Sequence, residues 1–239
     1  MIRVLWFRLV VVLSTAFFSL LAVLGGLAGA PRGHYDWIHR NWGRRVLAAA
    51  GVTVAIEGLE HAPPGKAQIL VANHQSMLDI WALMATVPAS LRFVAKEELA
   101  RIPIFAAACR AAGHVFIDRG NAVKAAGAIR AAGDRMRREG LTLVLFPEGT
   151  RSRDGSLGRF RRGAFALAIE TGADLVPVAI EGGGRVLERG AKRVRPGTIR
   201  IRLAPPVPLA GLGAEDRDAL VEDTRGTVAA MLEDLRGAG

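Results

Sequence analysis

Cysteine is nearly absent from this 239-residue chain, which contains only Cys109. A single thiol excludes an intrachain disulfide framework and a multi-cysteine metal site, and it is compatible with a reducing compartment. We therefore expect Cys109 to be a small buried hydrophobic side chain. The sequence also lacks metal-ligand spacing such as His-Glu-x-x-His, a Walker pattern and a dinucleotide-binding glycine pattern. It predicts no metal and no cofactor, and the run Gly182-Gly183-Gly184 is interpreted as a flexible loop.

Acidic residues are in the minority, with 22 Asp and Glu against 32 Lys and Arg, which gives a formal net charge of +10. This excess suits an anionic partner such as a phospholipid surface, a phosphorylated substrate or nucleic acid. Aromatic residues make up only 6% of the chain. Because neither a basic helix nor an interleaved aromatic platform is recognisable, we expect no nucleic-acid partner.

Charged residues are missing from the apolar run between Leu9 and Ala30. About 22 residues at roughly 1.5 Å rise would form a helix of roughly 33 Å, which is the thickness of a bilayer core. A cleaved signal peptide ending at Ala28-Gly29-Ala30 is the alternative, but its apolar part usually has only about 7 to 15 residues. The pattern favours a retained anchor.

A second helix, from Tyr35 to Ala50, is predicted to lie at the membrane interface because tryptophans and arginines alternate along it. A turn near Pro31-Arg32-Gly33 would join the two helices. The pair could therefore span the bilayer or enter one leaflet as a hairpin, and the sequence leaves both open. Arginines flank the apolar run on both sides, which favours a cytoplasmic location of the remaining chain only slightly.

The chain after Gly51 alternates short apolar or β-branched runs with helical stretches, which is typical of an α/β domain with a largely parallel sheet flanked by helices. The predicted strands are Val52 to Glu57, Gln68 to Ala72, Leu91 to Ala95, His114 to Ile117, Leu141 to Phe146, Leu175 to Ile180 and Thr198 to Leu203. The predicted helices are Met77 to Ala85, Pro103 to Ala111, Asn121 to Arg138, Arg162 to Glu170 and Ala214 to Leu235. The polar motifs fall at strand ends, where open α/β sheets bind ligands.

The motif Asn-His-Gln-Ser-Met-Leu-Asp at residues 73–79 contains a candidate catalytic pair. Across a strand-to-helix turn, Asp79 can accept a hydrogen bond from one nitrogen of His74, which leaves the other nitrogen as a general base for a substrate hydroxyl. The alternative is a helix capping box formed by Ser76 and Asp79, and spacing does not separate the two readings. The remaining histidines are predicted to be structural or solvated: His34, His39, His61 and His114.

A second polar motif, Phe-Pro-Glu-Gly-Thr-Arg-Ser at residues 146–152, follows a very apolar strand. Gly149 would let the backbone approach a ligand, Arg151 can bind a phosphate, and Glu148 can position Arg151 or a hydroxyl group. A third motif puts Arg119 at another strand end, with Asp118 as its ion-pair partner. A charged surface turn is the alternative, but two arginines converging on one phosphate would explain both motifs.

Four segments together resemble, in the same order, the motifs of the glycerolipid acyltransferases, the family that includes 1-acylglycerol-3-phosphate acyltransferases. They are NHQSMLD, VFIDR, FPEGTRS and VPVAI, and the likeness covers roughly Val52 to Leu203. The resemblance implies that His74 is the base, that Asp79 orients it, and that Pro177 shapes the acyl pocket. It also implies a set of residues that bind the acceptor's glycerol phosphate: Arg119, Glu148, Gly149, Thr150 and Arg151.

The resemblance predicts an enzyme that moves an acyl group from acyl-CoA or acylated carrier protein to the free hydroxyl of 1-acylglycerol 3-phosphate. Residues 1–50 would be the anchor and residues 51–239 the acyltransferase domain, at the inner membrane and facing the cytoplasm. The expected partners are the bilayer, the lysophospholipid and the acyl donor, which is a co-substrate and not a cofactor. Two alternatives remain: another acceptor, such as a lyso-ornithine lipid, and a non-catalytic lipid-binding protein.

Overall fold

A computed structural model describes residues 2–118, 122–190 and 193–237 of the chain. It begins with two long helices, α1 (Ile2–Leu27) and α2 (Arg32–Ala50), after which strands and helices alternate. The strands are β1 (Val52–Glu57), β2 (Gln68–Ala72), β3 (Leu91–Lys96), β4 (Val115–Ile117), β5 (Thr142–Leu145), β6 (Asp174–Glu181) and β7 (Gly197–Leu203). The other helices are α3 (Leu78–Thr86), α4 (Pro103–Ala112), α5 (Ala122–Glu139), α6 (Gly163–Thr171), α7 (Gly183–Val186) and α8 (Arg217–Gly237), with short 3-10 turns at Leu59–His61, Glu97–Arg101 and Ala214–Asp216.

The strands form one seven-stranded sheet in the order β1-β7-β6-β2-β5-β3-β4. Neighbouring strands are parallel except for β6 and β7, which are antiparallel. Parallel neighbours need crossover connections, and helices such as α3 and α5 supply them. The predicted α/β fold with a largely parallel mixed sheet is therefore confirmed.

Helices cover both faces of the sheet, so the strands in its middle are buried throughout. Side chains alternate along β2: Leu70 and Ala72 pack with α2 and α3, whereas Ile69 and Val71 pack with α5, α6 and α8. This alternation follows from the two-residue period of a strand, and it explains why β2 and β5 are apolar runs without polar alternation.

The two N-terminal helices pack side by side as a hairpin, the N-terminal hairpin of residues 2–50. Arg3 Nη2 donates to the carbonyl of Ala50 at 3.3 Å, and His34 Nε2 lies 3.2 Å from the carbonyl of Leu21. One face of α1 is covered by α2 and α4. The opposite face is an exposed apolar stripe at helical spacing: Leu5, Trp6, Leu9, Leu13, Phe17, Leu20 and Leu24. By length and composition α1 is apolar enough to cross a membrane.

The structure corrects the bounds of several predicted elements. α1 begins at Ile2 and not at Leu9, so the helix includes two arginines that were predicted to precede it. The last predicted helix is a 3-10 turn at Ala214–Asp216 followed by α8. Burial of Cys109 is confirmed, and this burial raises the pKa of its thiol to about 12.

A pair of histidines, the buried His39 and the half-buried His114, connects α2 to the sheet. Nε2 of His114 lies 3.0 Å from Nε2 of His39, and the rings are stacked with centroids 4.8 Å apart. The backbone N–H of Phe93 in β3 donates to Nδ1 of His114 at 3.0 Å. Since that nitrogen accepts a hydrogen bond, neutral His114 carries its proton on Nε2 and donates it to His39. Burial and, to a smaller extent, the neighbouring cation of Arg92 together lower the pKa of His114 to about 3.

Candidate active site

Three of the four sequence motifs meet at one edge of the sheet. β2 lies between β5 and β6, and all three run parallel, so their carboxyl ends point the same way. The loop of residues 73–77 follows β2, the loop of residues 146–162 follows β5, and α7 follows β6. This is the crevice at strand ends that open α/β sheets use for ligands.

His74 and Asp79 are joined by a hydrogen bond of 2.8 Å between Nδ1 and Oδ2. The carboxylate is fully buried, whereas 12% of the His74 side chain is exposed. Because a carboxylate oxygen only accepts, Nδ1 carries the proton and Nε2 is left with its lone pair. The ring also stacks on Phe146, with centroids 4.1 Å apart. This geometry fixes the orientation of one basic nitrogen.

Oδ2 of Asp79 also accepts the backbone N–H groups of Gln75 and Ser76, both at 2.8 Å. Ser76 Oγ accepts the N–H of Leu78, where α3 begins. The predicted capping box is only half formed: Oδ2 of Asp79 accepts the N–H of Ser76, but the N–H of Asp79 donates to the backbone carbonyl of Ser76 at 3.3 Å and not to its hydroxyl group. The same carboxylate oxygen holds the imidazole of His74.

The backbone of the 73–79 motif is tied to the neighbouring strand ends. The side chain of Asn73 bonds both polar backbone groups of Ile180, at 2.8 Å and 2.7 Å. The N–H of Ser152 donates to the carbonyl of His74 at 2.8 Å, and the N–H of His74 donates to Oε1 of Glu148 at 2.7 Å. These contacts hold the three loops together around the imidazole.

A cavity of about 970 Å³, within the range of small-ligand sites, is lined by Glu148, whose carboxylate accepts the N–H of His74. Neither His74 nor Asp79 is among its lining residues. Thr150 and Arg151 line it, and its other arginines are Arg153, Arg159, Arg161, Arg162 and Arg189. Burial lowers the pKa of Arg151, and the neighbouring guanidinium of Arg189 lowers it further. An anion bound between these two arginines would relieve their repulsion, so the cavity is suited to a phosphate.

Comparison with known proteins identifies the family. Residues 53–181 match a family profile described as Acyltransferase, which is more than half of the chain. The chain belongs to the acyltransferase family. It is 32% identical over 193 residues to 1-acyl-sn-glycerol-3-phosphate acyltransferase alpha of Homo sapiens, an alignment that covers 79% of this chain and 68% of that relative.

Two further relatives agree with this assignment. A 1-acyl-sn-glycerol-3-phosphate acyltransferase of Limnanthes douglasii is 34% identical over 165 residues, covering 69% of this chain and 58% of the relative. A crystal structure of the 1-acyl-sn-glycerophosphate acyltransferase from Thermotoga maritima matches with a TM-score of 0.84 and 28% identity, covering 98% and 95% of the two chains. The resemblance of the four motifs to this family is confirmed.

The structure of this acyltransferase gathers most of the residues that the motifs singled out. His74 and Asp79 are in contact, and Glu148, Thr150 and Arg151 line one cavity. Gly149 has a φ of 71°, in the region that favours glycine. Pro177 is buried in β6, in register with Val71 of β2. Arg119 lies outside the described residues.

The glycine run after β6 is the feature that the sequence interpretation missed. Gly182-Gly183-Gly184 does not form a flexible loop, because Gly183 and Gly184 are the first residues of α7. A Cβ on Gly183 would collide with Oδ1 of Asp79 and lie 3.1 Å from Cβ of Ser76. Within the described residues Oδ1 has no hydrogen-bond partner, so α7 shields this oxygen by close backbone packing. The signal in the sequence that could have predicted this close packing was a glycine run directly after a buried strand.

Proposed function

We propose that this acyltransferase transfers a fatty acyl group from an acyl thioester to the free hydroxyl of 1-acylglycerol 3-phosphate and thereby forms phosphatidic acid. The observation that supports the proposal most directly is the 2.8 Å bond between His74 and Asp79. An arginine-lined cavity is connected to this pair through Glu148, which lines the cavity and accepts the N–H of His74. The relatives named for this acceptor support the same substrate.

The chemistry requires one base and no protein nucleophile. Nε2 of His74 removes the proton of the acceptor hydroxyl as the oxygen attacks the thioester carbonyl, and the buried carboxylate of Asp79 stabilises the imidazolium. When the tetrahedral intermediate collapses, the carbon–sulfur bond breaks and the thiolate takes the proton back from His74. The products are an ester and a free thiol, and His74 returns to its neutral form.

The acceptor phosphate would bind in the cavity that Arg151 lines. Its charge fits a site in which Arg151 and Arg189 repel each other, and Thr150 offers a hydroxyl donor. Gly149 would allow the backbone to approach the glycerol. The resemblance implies Arg119 and Glu148 as further members of this set.

The N-terminal hairpin would place the crevice at the bilayer surface. α1 exposes one apolar face only, and it is packed along α2, which carries Arg32, Arg40, Arg44 and Arg45. Arginines are costly in hydrocarbon, so we favour insertion into one leaflet over a full crossing. Residues 1–50 would then be the anchor and residues 51–239 the catalytic domain, on the cytoplasmic side of the inner membrane. The donor would be acyl-CoA or acylated carrier protein, with no cofactor.

An acceptor panel tests the proposal. Purified enzyme with radiolabelled acyl-CoA, and separately with acylated carrier protein, is given lysophosphatidate, lysophosphatidylcholine or lyso-ornithine lipid. We expect labelled phosphatidate as the main product, and we expect the His74→Ala variant to form almost none. Acylation of lyso-ornithine lipid with no labelled phosphatidate would contradict the proposed acceptor, and normal turnover by His74→Ala would contradict the mechanism.

A further inference from the structure

Glu148 has unusual contacts for a residue on the wall of a ligand cavity. Its two carboxylate oxygens accept hydrogen bonds from two separate backbone segments. Oε1 accepts the N–H of His74 at 2.7 Å, and Oε2 accepts the N–H of Gly158 at 3.0 Å. The carboxylate therefore connects the loop that carries the base to the loop that closes the cavity.

The approach of this carboxylate to Gly158 depends on the missing side chain there. A Cβ at residue 158 would lie 2.9 Å from Oε2 of Glu148, which is too close for an ordinary contact. The carbonyl of Gly158 meanwhile accepts a hydrogen bond from Nε of Arg225 at 3.0 Å. Both backbone polar groups of Gly158 are thus bound, and the far end of the Glu148 bridge is anchored to α8.

The near end of the bridge holds His74 from two sides. Its N–H is bound by Glu148, and its carbonyl accepts the N–H of Ser152 from the same loop at 2.8 Å. Asp79 fixes the ring, whereas Glu148 and Ser152 fix the backbone from which the ring extends. The position of Nε2 in the crevice depends on both sets of contacts.

We propose that Glu148 is a positioning residue, which acts on catalysis by fixing the main chain of His74 and not by binding the acceptor. This inference rests on the proposed function, because it takes His74 to be the base. Charge-assisted hydrogen bonds to backbone N–H groups are strong, so the bridge resists displacement as substrate enters. Partial burial of Glu148 raises its pKa, while the two N–H donors act in the opposite direction and favour the carboxylate.

The two roles for Glu148 predict different kinetics. A residue that binds the acceptor phosphate or hydroxyl equally in the ground state and the transition state changes KM when it is removed. A residue that places the base changes kcat, because substrate still binds beside a base that is no longer aligned. The split between kcat and KM therefore distinguishes a positioning role from a binding role.

The experiment compares Glu148→Gln with Glu233→Gln. The glutamine at 148 keeps the size of the side chain but can accept only one of the two N–H groups, because its amide nitrogen faces the other donor. Glu233 is an exposed carboxylate of α8 that does not line the cavity, so its variant removes the same charge away from His74 and the acceptor. Acyl transfer to lysophosphatidate is measured over a range of acceptor concentrations, with melting curves for both variants.

We expect Glu148→Gln to lower kcat about ten- to a hundredfold while KM for the acceptor changes by less than about threefold. Glu233→Gln should match the wild type in both kcat and KM. A raised KM with unchanged kcat in Glu148→Gln would overturn the inference and make Glu148 an acceptor contact. Unchanged kcat and KM would overturn it as well.

The outcome for Glu148 is separable from the outcome for the proposed function. If wild-type enzyme and Glu233→Gln acylate a different lysolipid and not lysophosphatidate, the proposed acceptor fails, and the same kcat and KM comparison is made with the lysolipid that is used. If Glu148→Gln melts well below the wild type, kinetics are measured at a temperature where both proteins are folded. A kcat that then equals the wild-type value counts against the positioning role.

Discussion

Replacing Asp79 with asparagine removes a charge from the proposed catalytic pair of His74 and Asp79 and leaves the shape of the side chain intact. With the amide oxygen at the position of Oδ2, the variant still accepts the N–H groups of His74 Nδ1, Gln75 and Ser76. Its NH₂ group then occupies the position of Oδ1, which has no hydrogen-bond partner in the described part of the chain. The flipped orientation would set an NH₂ group against three donors, so the first orientation prevails.

The expected loss of kcat follows from the positive charge that would develop on His74 in the proposed transition state. With Nδ1 and Oδ2 2.8 Å apart, imidazolium and carboxylate charges are centred about 4 Å apart, where their attraction is about 4 kcal/mol at an effective dielectric constant of about 20. An attraction of that size corresponds to about a thousandfold in rate. Since the neutral amide oxygen retains part of it, we expect kcat to fall about a hundred- to a thousandfold.

The assay measures kcat of acyl transfer for the wild type and for Asp79→Asn at saturating acceptor and donor, with the melting temperature of each protein measured in parallel. Asp134→Asn is the control, because Asp134 is an exposed residue of α5 in a surface pair with Arg137. It should leave kcat unchanged. A loss of less than about tenfold in Asp79→Asn, in a protein that melts normally, would mean that charge on Asp79 does not assist the base and would refute the reasoning.

Three further predictions concern the phosphate cavity, α7 and the buried histidines. Arg151→Gln should raise KM for lysophosphatidate about tenfold with little change in kcat, because the lost interaction is present before reaction; an unchanged KM would move the phosphate elsewhere. Gly183→Ala should lower kcat about a hundredfold, because the added Cβ would displace Asp79. Gly184→Ala is the control, since its Cβ would lie 3.7 Å from the nearest atom and should leave kcat unchanged. Equal kcat values for the two variants would contradict the close packing of Gly183 on Asp79. The melting temperature should fall as pH drops from about 6.5, because the pKa of His114 is lowered in the folded state and the unfolded chain binds the proton first. His114→Asn, which keeps an acceptor for the N–H of Phe93, should show a shallower pH dependence of the melting temperature, and an identical slope would exclude His114 as the cause.

The sequence predicted the features that depend on short-range pattern. The strands around the crevice were recognisable because apolar runs such as those of β2 and β5 end in polar motifs. The contact of His74 with Asp79 was also predictable, since five residues across a strand-to-helix turn bring the two side chains together. No such local pattern in the sequence predicts the register of the strands or the antiparallel pairing of β6 with β7.

The features that sequence reasoning missed depend on contacts between distant segments. His39 and His114 are 75 residues apart, and His74 and Glu148 are 74 apart. Side-chain chemistry showed that Glu148 could accept hydrogen bonds, but only the fold brings two backbone N–H groups to it. The glycine run after β6 was misread for the same reason, because the crowding that requires Gly183 comes from Asp79.

The packing of the N-terminal hairpin determines how far the crevice lies from a surface that α1 contacts. The inner face of α1 is packed against α2 and α4. α2 in turn approaches α3 closely, since a Cβ at Gly43 would lie 2.6 Å from the carbonyl oxygen of Trp81. α3 begins at the motif that carries His74. The distance between the imidazole of His74 and any surface that α1 contacts is therefore fixed by the packing of α1 on α2 and of α2 on α3.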